Sequence, residues 1–136
     1  MSDSSILGID SGTINRFVVV RIKKNQDLLA GIEEIVLREN IKKGIFISIV
    51  GALQKGVFRN MKQLPIKLPV QDIDRFVYEI NKPLELLSIS GFIGAKEGEP
   101  YIHAHFSASY VDEASKVCTL GGHLINGNIT FIQVTI

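Results

Sequence analysis

The residues best equipped for chemistry in this chain are its three histidines, His103, His105 and His123, which all fall within one short stretch. His103-Ala104-His105 lies in a run that reads as a β-strand. Side chains two apart on a strand share a face, with Cα atoms roughly 6.6 Å apart. Two imidazoles so placed can lean onto one ion at metal–nitrogen distances of about 2.0–2.1 Å. His123 follows Gly121-Gly122. That glycine pair permits either a tight turn or a close approach to a neighbouring strand, and both can bring His123 to face the pair. Three nitrogen ligands with a fourth position open is the pattern of a catalytic or ligand-binding zinc, not of a closed structural site. Imidazole also suits copper, iron and nickel, which leaves the identity of the ion open. The competing reading makes His103 and His105 polar residues on a half-buried sheet face and His123 a turn residue.

Other groups are weaker candidates. Cys118, the sole cysteine, is a poor fourth ligand, because a single cysteine more often fills a core. Glu97, Glu99, Asp112 and Glu113 flank the histidine strand and read either as bases towards a metal-bound water or as loop charges. Ser88, Ser90, Ser107 and Ser109 alternate along two strands and read as polar lining, since no base or oxyanion hole can be placed beside them. Asp10-Ser11-Gly12-Thr13 matches the tetrapeptide of aspartic proteases, whose chemistry needs two carboxylates sharing a proton. Here it reads as turn chemistry ahead of the core. Glycine-rich phosphate loops are absent.

The elements that must position the histidines follow from periodicity. Residues 1–15 read as an arm or short edge strand, and residues 16–136 as a single domain. Arg16 to Ile22 is a strand by composition. Asn25 is placed to cap a helix over about 26–39, in which Leu28, Ile32, Ile35 and Val36 form the apolar stripe. Ile45 to Val50 is a nearly continuous apolar run, as expected of a strand covered on both faces. Further strands are expected at 57–60, 75–80, 84–93, 101–110 and 129–136, with a loop at 61–74 around Pro65 and Pro69 and a hairpin loop at 94–100. One principal helix followed by several strands indicates an α+β fold, a mainly antiparallel curled β-sheet packed with that helix.

Composition narrows the function. The chain has 136 residues, 46% hydrophobic and 21% charged, with a formal net charge of +1 from 15 Lys+Arg against 14 Asp+Glu. Such a chain buries a real core. It carries neither the basic surplus nor the basic stripe of a protein that lives on phosphate backbones. Low cysteine content, no apolar run long enough to span a bilayer and a start unlike a secretory signal point to the cytoplasm, with no membrane partner.

Several stretches resemble one family. They are Asp27-Leu28-Leu29 with the helix, Ile49-Val50-Gly51-Ala52-Leu53, Leu84 to Gly91, Gly98-Glu99-Pro100-Tyr101-Ile102-His103-Ala104-His105, and Gly121-Gly122-His123-Leu124-Ile125-Asn126-Gly127. Their order and spacing are similar to those of the PPC (plants and prokaryotes conserved) domain, from about Arg16 to Ile136. The resemblance implies a compact α+β homotrimer of the stand-alone prokaryotic type, in which the three matching histidines hold a zinc ion near the subunit boundary. Plant members join the domain to AT-hooks, Arg-Gly-Arg-Pro motifs that enter the DNA minor groove. No such motif occurs here, so nucleic acid is not the expected partner. The plant Gly-Arg-Phe-Glu-Ile-Leu segment aligns with Lys82 to Leu87, matching only at Glu85 and Leu87. Three functions follow as expectations: a metal-binding homotrimer that recognises a small ligand or protein partner, a metal-dependent hydrolase using the three histidines, and a DNA-binding module by family analogy. A cupin-like barrel is the structural alternative, and the early helix and the Gly-Gly-His spacing favour the PPC pattern.

Overall fold

The computed structural model describes Ser5, Ile6 and residues 8–136. Its elements run β1 (Arg21–Ile22), α1 (Leu28–Arg38), β2 (Gly44–Ile45), β3 (Ala52–Met61), a 3-10 turn (Asp72–Asp74), β4 (Arg75–Ile80), β5 (Leu84–Lys96), β6 (Glu99–Val111), β7 (Val117–Leu124), β8 (Ile129–Thr130) and β9 (Val134–Thr135). The main sheet has the order β2-β5-β6-β7-β3-β4. Ala52 and Leu53 at the start of β3 also pair with Glu85 and Leu84 of β5. The sheet therefore curls until β3 meets both β7 and β5. Every strand pairing among the described residues is antiparallel. One helix on a curled antiparallel sheet is the α+β class that the sequence indicates.

The helix forms where expected, slightly shorter, with a different cap. Asn25 takes a left-handed backbone conformation (φ 61°). Asp27 caps instead, its Oδ1 accepting from the Ala30 N–H at 3.0 Å. Leu28, Ile32 and Val36 are buried, with Ile35 packed partly against them. They face the inner surface of the sheet, where α1 lies over β6. Along β6 the inward residues are Ala104, Phe106 and Ala108. The alanines leave room for the helix, and Phe106 stacks on Phe58 of β3 at 4.6 Å between ring centroids.

Two polar residues tie the helix to the end of the chain. Asn128 is wholly buried. Its Oδ1 accepts from the Val57 N–H (2.8 Å) and its amide donates to the carbonyls of Val57 (3.1 Å) and Ile125 (2.7 Å). The backbone carbonyl of Asn128 accepts from the Leu28 N–H at 2.8 Å. Thr130, equally buried, donates to the Lys23 carbonyl and accepts from the Gln26 N–H. Paired in this way, polar groups can sit in a core at little cost.

Several expectations require correction. The strand at 16–22 narrows to Arg21–Ile22, and residues 8–20 form no helix or strand. The run 45–50 is not covered on both faces: Ile45, Ile47 and Val50 are about two-thirds exposed, while Ile49 is buried. Ile45 pairs with Phe92 of β5, the Phe46 N–H donates to the Gly91 carbonyl, and Val50 makes an isolated bridge to Thr135. The strand at 57–60 extends to all ten residues of β3. The strand at 129–136 breaks into β8 on β3 and β9 on β1, because the chain changes partner between them. The strand β7 (Val117–Leu124) is not among the expected strands; of the two roles left open for Gly121-Gly122, it realises the close approach to neighbouring strands. The hairpin loop at 94–100 reduces to the two residues Glu97 and Gly98, both with positive φ.

Candidate metal centre

The three histidines converge on one face of the sheet. His103 and His105 alternate with the inward Ala104 on β6, so both point away from the helix. His123 on β7 lies directly opposite His105. Residues directly opposite in an antiparallel pair share a face and sit about 4.5–5.5 Å apart at Cβ. Ring centroids are 5.4 Å apart for His103–His105, 4.9 Å for His103–His123 and 5.2 Å for His105–His123. One ligand atom from each lies within 4.8 Å of the other two. A tetrahedral ion with bonds of 2.0–2.1 Å needs nitrogens roughly 3.3–3.4 Å apart, so ring adjustments of about 1 Å close the triad. The donor set fits a first-row transition ion: three imidazoles, no hard oxygen ligand, and one side open.

The glycine pair explains how β7 reaches this position. A Cβ on Gly121 would lie 2.8 Å from the Phe106 carbonyl oxygen, and one on Gly122 would lie 3.0 Å from that of Arg59. Of the two roles open to the pair, the close approach is the one adopted. β7 is thereby wedged between β6 and β3, and His123 is fixed against His105. On the other side of β6, Gly91 of β5 faces Ala104 with φ +146°, and a Cβ there would come within 2.1 Å of the His103 carbonyl oxygen. Glycines on both flanks let the strand that carries the two histidines be gripped at backbone distance.

Electrostatics favours the ligand form. The pKa of His123 is pushed down to about 4, first by burial and then by the charge of Arg59, with smaller effects from the other two histidines and Arg75. At neutral pH this imidazole is uncharged, as a ligand must be. The surroundings divide into two kinds. Phe92 and Tyr101 stand beside His103, with ring centroids 5.5 and 6.2 Å from it. Arg59 of β3 lies opposite His123. Sequence reading missed Arg59. The available signal was its alternation with Phe58, which sends one residue inward and the other to the histidine face.

The remaining candidates lie elsewhere or serve other ends. Ser90 faces His105 across the β5–β6 pair, and Ser88 and Ser107 share a hydrogen bond of 2.7 Å. These serines and Ser109 line the histidine face. Cys118 falls on the opposite face of β7 from His123, by strand alternation, next to Tyr110. Glu97 and Glu99 sit at the β5–β6 turn, with Glu99 four residues and about 13 Å along the strand from His103. Asp112 accepts from the N–H groups of Ala114 and Lys116 at the β6–β7 turn, and Glu113 pairs with Lys82. None of the four carboxylates joins the histidine group. Asp10 pairs with Lys43 at 2.7 Å on an exposed segment, and its pKa is lowered chiefly by that contact.

Comparison with solved structures finds the same fold repeatedly. A metal-containing protein from Archaeoglobus fulgidus is 24% identical, with a TM-score of 0.75 over 95% of this chain and 82% of that one. A plant- and prokaryote-conserved (PPC) protein of Pyrococcus horikoshii is 25% identical, with a TM-score of 0.70 over 93% and 82% of the two chains. A Salmonella protein of undescribed function is 17% identical, with a TM-score of 0.70 over 92% and 77%. No curated protein sequence matches the chain. The sequence pattern of the Plants and Prokaryotes Conserved (PCC) domain matches residues 9–136, nearly the whole chain, and the protein belongs to that family.

Proposed function

We propose that this chain is a metal-binding domain that holds a divalent transition ion, zinc in the simplest case, on His103, His105 and His123. It acts as a homotrimer and recognises a small ligand or a protein partner at the open side of the ion. The observation that carries the reading is the convergence of three imidazoles, from two paired strands, on one exposed sheet face. The description of the Archaeoglobus relative as metal-containing agrees with it. When bound, the ion supplies an open, Lewis-acidic coordination position. The chain's own part is to hold three neutral imidazoles in a fixed triangle and to wall one side with Phe92 and Tyr101.

Recognition is favoured over hydrolysis by the positions of the carboxylates. A metal-bound water normally works with a base within about 2.6–3.2 Å, directly or through one water. Glu97, Glu99, Asp112 and Glu113 sit at strand ends, and among the described residues no carboxylate joins the triad. The DNA-binding reading is disfavoured by charge, since a net +1 offers little phosphate neutralisation. The trimer reading is supported by exposed apolar side chains at Phe17, Val19, Ile45, Ile47, Val50, Phe131 and Ile132. Surfaces of that kind are usually covered by a partner.

The test is metal content by mass spectrometry on untagged protein, compared with a His103→Ala/His105→Ala variant. About one zinc, or another transition ion, per wild-type chain and none in the variant is the expected result. No metal in either protein after incubation with zinc would overturn the proposal.

A further inference from the structure

The histidine face carries a cation that the metal reading alone does not use. A single row crosses four strands: Ser90 on β5 faces His105 on β6, His105 faces His123 on β7, and His123 faces Arg59 on β3. Directly opposite residues share a face. Phe58, the next residue on β3, is stacked into the core against Phe106, which forces Arg59 outward onto the histidine side. Arg59 is half-buried, and among the described residues its guanidinium makes no ion pair, whereas Arg16, Arg38 and Arg75 each have a carboxylate partner.

Next to the triad the charge is one-sided: Glu79, on the same face of β4, is paired with Lys55, and Glu85 lies opposite Ser109, four residues along β6 from His105. A divalent ion on three neutral imidazoles keeps its full charge, and Arg59 adds another on the adjacent strand. Among the described residues, no aspartate or glutamate joins the histidine group to offset either. An ion held on the triad and the Arg59 charge on the adjacent strand would repel each other unless an anion lay between them. A guanidinium is also the side chain best shaped to take two oxygens of a carboxylate or phosphate at once.

Building on the metal reading, we infer that the site takes an oxyanion ligand, a carboxylate or a phosphate. Arg59 pairs with one oxygen of a carboxylate, or two of a phosphate, while a further oxygen would be free to meet the open coordination position of an ion held by the three histidines. The aromatic pair Phe92 and Tyr101 bounds the opposite side, so the anionic end of the ligand is directed from His103 towards β3. Arg59 is a binding residue here and not a metal ligand.

The experiment uses full-length protein loaded with cobalt(II), whose visible absorption reports its ligands. Wild type, Arg59→Gln and Arg59→Lys are first compared for metal content, then titrated separately with inorganic phosphate and with acetate at constant ionic strength. All three proteins are expected to carry equal metal. The wild-type band is expected to shift on titration with at least one of the two anions. Arg59→Gln should need at least about tenfold more anion, with Arg59→Lys in between, because lysine keeps the charge but loses the fork. The arm that responds more strongly identifies the ligand as phosphate or carboxylate. Equal metal with no anion response, or with a response that Arg59→Gln leaves unchanged, overturns the inference and leaves the metal reading standing. Loss of metal in Arg59→Gln alone makes Arg59 a structural support of the triad and likewise overturns it. A wild type that takes no metal removes both.

Discussion

Replacing Gly91 by alanine should loosen the strand that carries two of the three histidines. Two costs add. The backbone at Gly91 has φ +146°, outside the region that residues with a Cβ favour. Holding a non-glycine residue in such a conformation costs about 1–3 kcal/mol. The new methyl would also lie 2.1 Å from the His103 carbonyl oxygen and 2.6 Å from the Ala104 Cα. Both contacts are backbone and neither can rotate away, so β5 and β6 must separate locally, at a cost of about 1–3 kcal/mol for overpacking. The expected destabilisation is about 2–6 kcal/mol. With an unfolding entropy of about 2.1 cal/mol/K per residue, a 136-residue chain should melt roughly 7–21 °C lower. The assay is a thermal melt followed by circular dichroism, with protomer concentration held fixed so that any assembly equilibrium does not enter. Gly94→Ala on the same strand is the control, because a Cβ there meets nothing within 4 Å, and its melting point should stay within about 3 °C of wild type. A Gly91→Ala protein that melts with the control and binds metal like wild type would refute the backbone-grip argument.

Other expectations follow from single contacts. Asn128→Ala leaves the buried N–H and C=O of Val57 without their partner, and should cost about 2–4 kcal/mol in urea unfolding; a change below 1 kcal/mol would contradict that pairing. Asp27→Ala removes the helix cap and the acceptor for the Asn126 amide, with an expected loss of about 1–2 kcal/mol in the same assay. In metal-free protein, the His123 ring should titrate by NMR near pH 4 and not near its ordinary 6.5. Because the unfolded chain takes up this proton first, His123's contribution to stability is complete above pH 6.5 and is lost as pH falls towards 4. A midpoint close to 6.5 would show that burial and Arg59 do not act on it. Ile47→Glu/Val50→Glu is expected to convert a trimer into smaller species by light scattering, and a wild type already monomeric at micromolar concentration would end the trimer proposal.

Local chemistry was legible where it was unopposed. The Leu28–Ile32–Val36 stripe pointed to the helix, the aromatic and β-branched residues Phe76, Val77, Tyr78 and Ile80 to β4 with its bounds Arg75–Ile80, and the His-x-His spacing to a shared face. What stayed hidden depended on partners distant in sequence. Gly121-Gly122 carries a turn signature, and only the closeness of β6 and β3 on either side explains why glycine is needed inside a strand. Asn25 is a good cap by type, but its left-handed backbone passes the role to Asp27. The apolar run 45–50 has the composition of a central strand and occupies an edge. Arg59 went unnoticed for the same reason: its position opposite His123 follows from a β3–β7 pairing that no local pattern announces.

The order of the strands has a consequence for what the ion contributes. All three histidines lie on β6 and β7, which are consecutive in sequence and joined by a short turn. An ion bound there would cross-link segments close in sequence, so it would remove less loop entropy from the unfolded state than a cross-link between distant segments. The core made by α1, Phe58 and Phe106 stands on the other side of the sheet and does not depend on it. In contrast to small zinc modules, whose fold is lost with their metal, this domain should remain folded when a chelator strips the ion. If the proposed site holds an ion, its occupancy would vary with the supply of metal while the scaffold persists, unlike that of a structural clasp.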